Sequence, residues 1–184
     1  MKNLLALLQG YLHEFFRGDS FQVYIKSPEE ALLLLLQLKT VAMRTSPEAS
    51  LPITDIKACI GIGTVKLPVK SLKTASDEAF ILSGRNFDKM DRNQRLAIVC
   101  SPKDTIAEVG LRVLAQFVDY LFLRMTVKQA SVVFELLMKR TQTETARRLK
   151  KSQATVHKHT QSSGWPEIEK LLREYKLLVN SIQA

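Results

Sequence analysis

The stretch that most restricts the fold is TQTETARRLKKSQATVHKHTQ, residues 141–161. It holds no glycine and is dense in charge, yet Ala146, Leu149 and Val156 are spaced as points that must be buried. Thr141 followed by Glu144 is a capping box, in which each side chain satisfies an orphan N–H at a helix start. Ser152 offers a second N-cap, opening QATVHKHT. Only Lys150, Lys151 and Ser152 separate the two helices, so the chain must turn sharply. The small Ala146 lets the helices cross closely, while Leu149 and Val156 anchor them. A left-handed turn at Lys150 costs on the order of 1 kcal/mol for a residue with a Cβ, which a packed pair tolerates. The spacing predicts two short crossed helices presenting one face.

That face is cationic. Net charge is +9, from 27 Lys and Arg against 18 Asp and Glu. Residues 1–123 hold 15 basic and 13 acidic side chains, a balance of +2, and residues 124–184 hold 12 and 5, a balance of +7. The last third points to a polyanionic partner. A solvated basic face is the alternative, and it stays open at this level. In a helix-turn-helix the second helix lies in the major groove. By that geometry Gln153, Ala154, His157 and Lys158 face base edges, with Gln153 suited to paired hydrogen bonds and Ala154 to a thymine methyl. Arg147, Arg148, Lys150, Lys151 and Ser152 fall where phosphates lie.

The rest of the chain carries mixed patterns. Residues 3–16 place Leu4, Leu5, Leu8, Leu12, Phe15 and Phe16 at helical spacing. SFQVYI reads as a strand, and Ser27-Pro28 opens a helix running to Arg44. DIKACIGIGTV reads as a central strand, with Gly61 and Gly63 marking a bulge or a close backbone approach. Ser76, Asp77 and Glu78 start a helix to about Met90, RLAIVC is a strand, and Asp104 is placed to cap a helix over 105–124. Thr126 caps a helix from Val127 to about Arg140, whose apolar stripe is Ala130, Val133, Phe134, Leu137 and Met138. After Pro166, the stripe Ile168, Leu171, Leu172, Tyr175, Leu178, Val179 and Ile182 suits either packing onto Phe122 and Val133 or a homodimer through the C-terminal helix. This order gives an α/β layered domain over 1–123 and an all-helical domain over 124–184, in close contact because no flexible linker divides them.

No apolar run approaches the roughly 20 residues of a membrane span. Cys59 and Cys100 sit in apolar runs without CxxC spacing, as free core thiols of a reducing cytoplasm would. The His residues are not at metal-ligand spacing with them, so no metal site is expected.

Two resemblances follow from these motifs. VKQASVVFELL with the 141–161 stretch resembles the helix-turn-helix of bacterial regulators and of region 4 of sigma factors, except that Lys150 stands where glycine is usual, Lys151 where an aliphatic residue is usual, and His159 at a commonly apolar position. RGDSFQVYI, DIKACIGIGTV and SDEAFILSGRNFDKM resemble the Gly-Asp hairpin, sheet strand and later helix of class III nucleotidyl cyclases. With the C-terminal Trp165-Pro166 helix, the whole resembles the SatD family of bacterial proteins. That resemblance implies an α+β fold: a ferredoxin-like sheet with helices on one face, followed by the helix-turn-helix domain. It also implies a central strand ahead of the first helix, so the expectation is a start placed late or a gene fragment. Asp19 matches a metal-binding aspartate and Arg85 an arginine that stabilises charge, leaving them as a nucleotide-binding remnant. Ile81 stands where an asparagine should orient the ribose, and the partner aspartate belongs to the absent strand. One carboxylate holds a divalent metal poorly.

The resulting expectation is a cytoplasmic, non-enzymatic DNA-binding regulator that needs no cofactor, with the sheet domain as platform or sensor. The alternatives are a nucleotide- and metal-binding sensor with residual cyclase activity, or a module docking on RNA polymerase.

Overall fold

The leucine run of residues 31–36 opens helix α2 (Ala31–Arg44), which is apolar nearly all round and buried nearly all round. The computed structural model describes residues 2–16, 18–46, 54–101 and 105–183, so the expected cap at Asp104 lies outside the described residues. A single 3-10 turn (Pro28–Glu30) leads into α2, with Pro28 at its first position. Even Lys39 of α2 is fully buried; its ammonium lies 2.9 Å from the Asp55 carboxylate and donates to the Ile56 carbonyl at 2.8 Å. A buried cation persists only with such partners.

The remaining elements are α1 (Lys2–Leu8), β1 (Leu12–Phe15), β2 (Phe21–Tyr24), β3 (Ala58–Gly61), α3 (Glu78–Lys89), β4 (Leu96–Val99), α4 (Thr105–Leu123), α5 (Val127–Leu137), α6 (Gln142–Leu149), α7 (Gln153–Ser162) and α8 (Trp165–Gln183). The fold is mixed α+β, with helices predominating. One hydrophobic core joins Leu32 and Leu36 of α2, Leu96 and Ile98 of β4, and Leu111 and Val118 of α4 to residues of α5 and α8.

The helix expected over 3–16 stops at Leu8, and Leu12–Phe15 is a strand. It pairs antiparallel with β2, Leu12 opposite Tyr24 and Phe15 opposite Phe21, around a turn in which Gly18 takes a φ of +67°. A cross-strand partner outweighs helical spacing here, because spacing is a local signal and pairing is not. The long central strand expected over 55–65 shortens to four residues. Parallel pairing with β4 covers one of its edges.

These four strands form two separate two-stranded ladders, not one ferredoxin-like sheet, among the described residues. The Phe16 N–H donates to the Ser20 carbonyl, and alternation from that bond turns the N–H and C=O of Phe21 and Val23 away from β1. Likewise Ala58 and Ile62 bond to β4, so Cys59 and Gly61 turn theirs the other way. Both edges line one groove of about 1440 Å³, floored by Leu34, Leu35 and Leu38 of α2.

Helices also cover both faces of the β3–β4 pair, where the expectation had them on one. Ile62, Leu96 and Ile98 face the core beneath α4, while α3 crosses above Gly61. That crossing needs glycine. A Cβ at Gly61 would stand 2.8 Å from the Ser83 nitrogen and closer still to the Ala79 carbonyl oxygen. Backbone cannot swing aside as a side chain can, so Gly61→Ala is expected to destabilise by about 1–3 kcal/mol. Urea denaturation measures this, with Gly10→Ala as control, since no atom lies within 4 Å of a Cβ there.

Candidate nucleic-acid interface

Residues 126–163 build the cationic face in local steps. The Thr126 hydroxyl accepts from the Gln129 N–H while the Gln129 side chain accepts from the Thr126 N–H, closing a capping box at the start of α5. The Gln129 amide also donates to the Ser162 carbonyl at 2.9 Å, pinning the start of α5 to the end of α7. At its other end α5 stops at Leu137, short of the expected Arg140. Lys139 adopts φ +60°, its N–H donates to Leu136 O, and Arg140 N–H donates to Glu135 O. These two bonds close the Schellman pattern that satisfies terminal carbonyls.

The same device ends α6. Thr141 and Glu144 make the expected capping box, and the Thr141 N–H, then its hydroxyl, hold the Glu144 carboxyl below the usual carboxylate range. Lys150 takes φ 52° and ψ 47°, with Lys151 N–H donating to Ala146 O and Lys150 N–H to Arg147 O. The Ser152 hydroxyl then caps α7 by accepting from the Thr155 N–H at 3.1 Å. Lysines stand at both left-handed positions, where glycine would be unstrained.

Three helices share a small core. Val132 and Leu136 of α5, Ala146 of α6 and Val156 of α7 are buried together, with Leu149 and Trp165 against them. Val156 and Thr160 point inward, so Gln153, Ala154, His157 and Lys158 are exposed on the other side of α7. Arg147, Arg148, Lys150, Lys151 and Ser152 are exposed beside them. All nine sequence-derived residues are therefore solvent-exposed, on α6, α7 and the turn between them. Three have prior commitments: Gln153 donates to the Thr143 hydroxyl at 3.3 Å, the Arg148 Nε donates to Glu135 at 2.8 Å, and the Ser152 hydroxyl is the cap of α7.

Glu135 was not singled out in the sequence. It lies in the apolar run VVFELL and is only 3% exposed. Its carboxylate meets Arg140 in direct contact, Arg148, and Arg44 of α2 at 3.9 Å. Arg44 also stacks on the Phe134 ring, 4.5 Å from its centroid. A lone carboxylate on a helix's apolar side, in a segment of excess Arg, was the available signal. Lys128 is the other addition. Burial first, then the charges of Lys128, Lys158 and Lys151, hold the His159 imidazole below its usual pKa. These cations therefore cluster around His159, at a position the helix-turn-helix resemblance expects to be apolar.

The α8 stripe is spent inside the chain. Ile168, Tyr175 and Val179 are buried in the main core, and the Tyr175 hydroxyl donates to the Pro28 carbonyl at 2.7 Å. Of the two options for the stripe, packing within the chain is the one these contacts make.

Asp19 and Arg85 are not brought together. Asp19 is exposed at the β1–β2 turn and lines the groove, with Phe80, Ser83 and Asp88 of α3. Arg85 is exposed and absent from that lining, and no ion pair joins it to Asp19 or Asp88 among the described residues. Cys59 and Cys100 are not joined in a disulfide, and burial pushes the Cys59 pKa up to about 12. No helix among the described residues is long and apolar enough to cross a membrane. Comparison with known proteins finds no matching family model, no matching curated protein and no matching solved structure.

Removing one member of a buried ion cluster leaves the others uncompensated. Because the arginines keep partial solvent access, Glu135→Ala is expected to cost about 2–3 kcal/mol, at the lower edge of the range for such losses. The shift in urea midpoint measures it. His159 supplies a second prediction. Its proton is held more weakly folded than unfolded, so stability is untouched above the usual imidazole pKa and falls as pH drops through it. Between about pH 7.5 and 5.5, which brackets that pKa, the melting temperature of the wild type should fall more than that of His159→Leu.

Proposed function

We propose that the chain binds duplex DNA, with α6 and α7 as a helix-turn-helix and α7 in the major groove, and that it acts as a cytoplasmic transcriptional regulator. The observation that carries this reading is the division of α7. Val156 and Thr160 lock one side into the small core, and Gln153, Ala154, His157 and Lys158 are left outward at its first turns. The N-terminal turns of such a helix are the ones that reach base edges. Arg147, Lys150, Lys151 and Lys128 flank them with charge, which suits phosphates on either side of a groove. Arg148 retains outward-facing surface although its Nε is taken.

The α/β part serves as platform in this reading. Its hairpin, strand, α3 and strand follow the order of the cyclase-like and SatD-family resemblance, which supports a shared ancestry of that part. Ile81 at the position of the ribose-orienting asparagine, and Arg85 outside the groove lining, weigh against turnover of a nucleotide.

Electrophoretic retention of duplex DNA by the full chain is the test. The full chain is required because α5 packs on α2 as well as on α6 and α7. Affinity should fall steeply with salt, by a log–log slope of about −0.9 for each phosphate neutralised. Lys151→Ala should weaken all sequences alike and flatten that slope by about 1. Gln153→Ala should change preference between sequences, by about 1–3 kcal/mol for the base pair it reads. No retention at low salt, or two silent substitutions, would refute the assignment.

A further inference from the structure

Helix α4 has two apolar faces, and the fold uses one. Ala107, Leu111, Leu114, Ala115, Val118 and Phe122 are buried in the main core. On the other side Ile106 is 86% exposed, Val113 57% and Leu123 52%, with Val109, Phe117 and Tyr120 between 42% and 48%. At 3.6 residues per turn, Ile106, Val109, Val113, Phe117 and Tyr120 fall within an arc of about 80°, and Leu123 lies about 40° beyond its edge. Together they present on the order of 600 Å² of mostly apolar surface, at the upper end of the largest patch on an ordinary monomer. A standard interface buries about 800 Å² on each partner, polar rim included. Glu108, Arg112 and Gln116 border the stripe and would supply such a rim.

We propose that a second copy of this chain docks along this face of α4, antiparallel, on a two-fold axis at Val113. The spacing names the occupant. Ile106, Val109, Val113, Phe117 and Tyr120 step by three, four, four and three residues, which is a palindrome about Val113. An antiparallel two-fold there sets Ile106 against Tyr120, Val109 against Phe117, and Val113 against itself. Small side chains then meet large ones, the arrangement that lets two helix surfaces interdigitate. The aromatic end is held in place before docking. Phe117 and Tyr120 stack at 6.1 Å and 12°, and Arg124 lies 4.1 Å over the Tyr120 ring and donates to its hydroxyl at 2.7 Å. Ordered Tyr and Arg are the side chains that anchor interfaces. A two-fold dimer would also carry two copies of the cationic face; that consequence rests on the DNA reading, whereas the dimer does not.

Sedimentation velocity of the full chain without DNA tests the proposal. The wild type should move from monomer to dimer within about 1–100 µM, the span of a standard interface of modest affinity. Val113→Glu sets two carboxylates against each other at the axis, and should weaken association by 100-fold or more, on the order of a lost central contact. Because Val113 is exposed, its melting curve should match that of the wild type at concentrations low enough for both to be monomeric. Val113→Cys should give a disulfide-linked dimer on mild oxidation, and Leu177→Cys on α8, 63% exposed, should not. A wild type that stays monomeric over the whole range overturns the proposal. So does a Val113→Glu chain that still dimerises, or a Val113→Cys chain that links no faster than Leu177→Cys.

Discussion

A buried carboxylate organises the junction between the cationic module and the leucine-rich helix α2. Glu135 lies inside the apolar side of α5 and gathers Arg44 from α2, Arg140 from the α5–α6 connection and Arg148 from α6. Burying it unpaired would be costly, and burying it among three guanidiniums fixes three segments at once. The orientation of α6, and through Ala146 and Val156 that of α7, follows from this contact together with the small apolar core. Burial works against the Arg44 charge, Glu135 favours it, and the neighbouring Arg140 and Arg148 oppose it again. The positive surface beyond is therefore an organised one: some arginines serve structure, and those around them are left with solvent-facing charge.

Much of the helical part was legible because its signals are local. Thr126, Thr141 and Ser152 cap helices through bonds reaching no more than three residues along the chain. Lys150 turns left-handed despite its Cβ, because the two carbonyls at the end of α6 take the N–H groups of Lys150 and Lys151. Leu12–Phe15 was misread for the opposite reason: its partner is β2, and nothing within the helical period announces that pairing. The long strand over 55–65 shortened because Gly61 serves a close helix crossing, one of the two roles its glycines suggested. Glu135 escaped notice since its value lies in partners 5, 13 and, through α2, far more residues away. The C-terminal stripe was visible, but only tertiary packing decides what covers it. The likeness to a cyclase-type platform rests on motif order alone, and the two observed ladders neither require nor complete it.

The two halves of the chain meet through helices. Helix α5 packs on α2, and α8 on α4, so the leucine-rich α2 is shared ground for both. Polar groups that enter this region are held by specific partners, although one Asp119 oxygen, Oδ1, is buried without a hydrogen bond among the described residues. Asp119 of α4 accepts the N–H groups of Arg95 and Leu96 at 2.8 and 3.0 Å, which offsets the burial that raises its pKa. Lys39 is held at Asp55 and Ile56. Such contacts set the place of α4 in the molecule, and therefore which way its second apolar face points.

The groove between the ladders has a protective shape. Its rims are strand edges with no ladder partner among the described residues, the kind of surface from which cross-β fibres grow. Yet the α2 leucines close it from below, and Ala79, Phe80 and Ser83 of α3 line it as well. A foreign sheet cannot stack broadside against rims recessed in this way. A strand laid between the two rims would be flanked on both sides and would offer nothing for a next layer to build on.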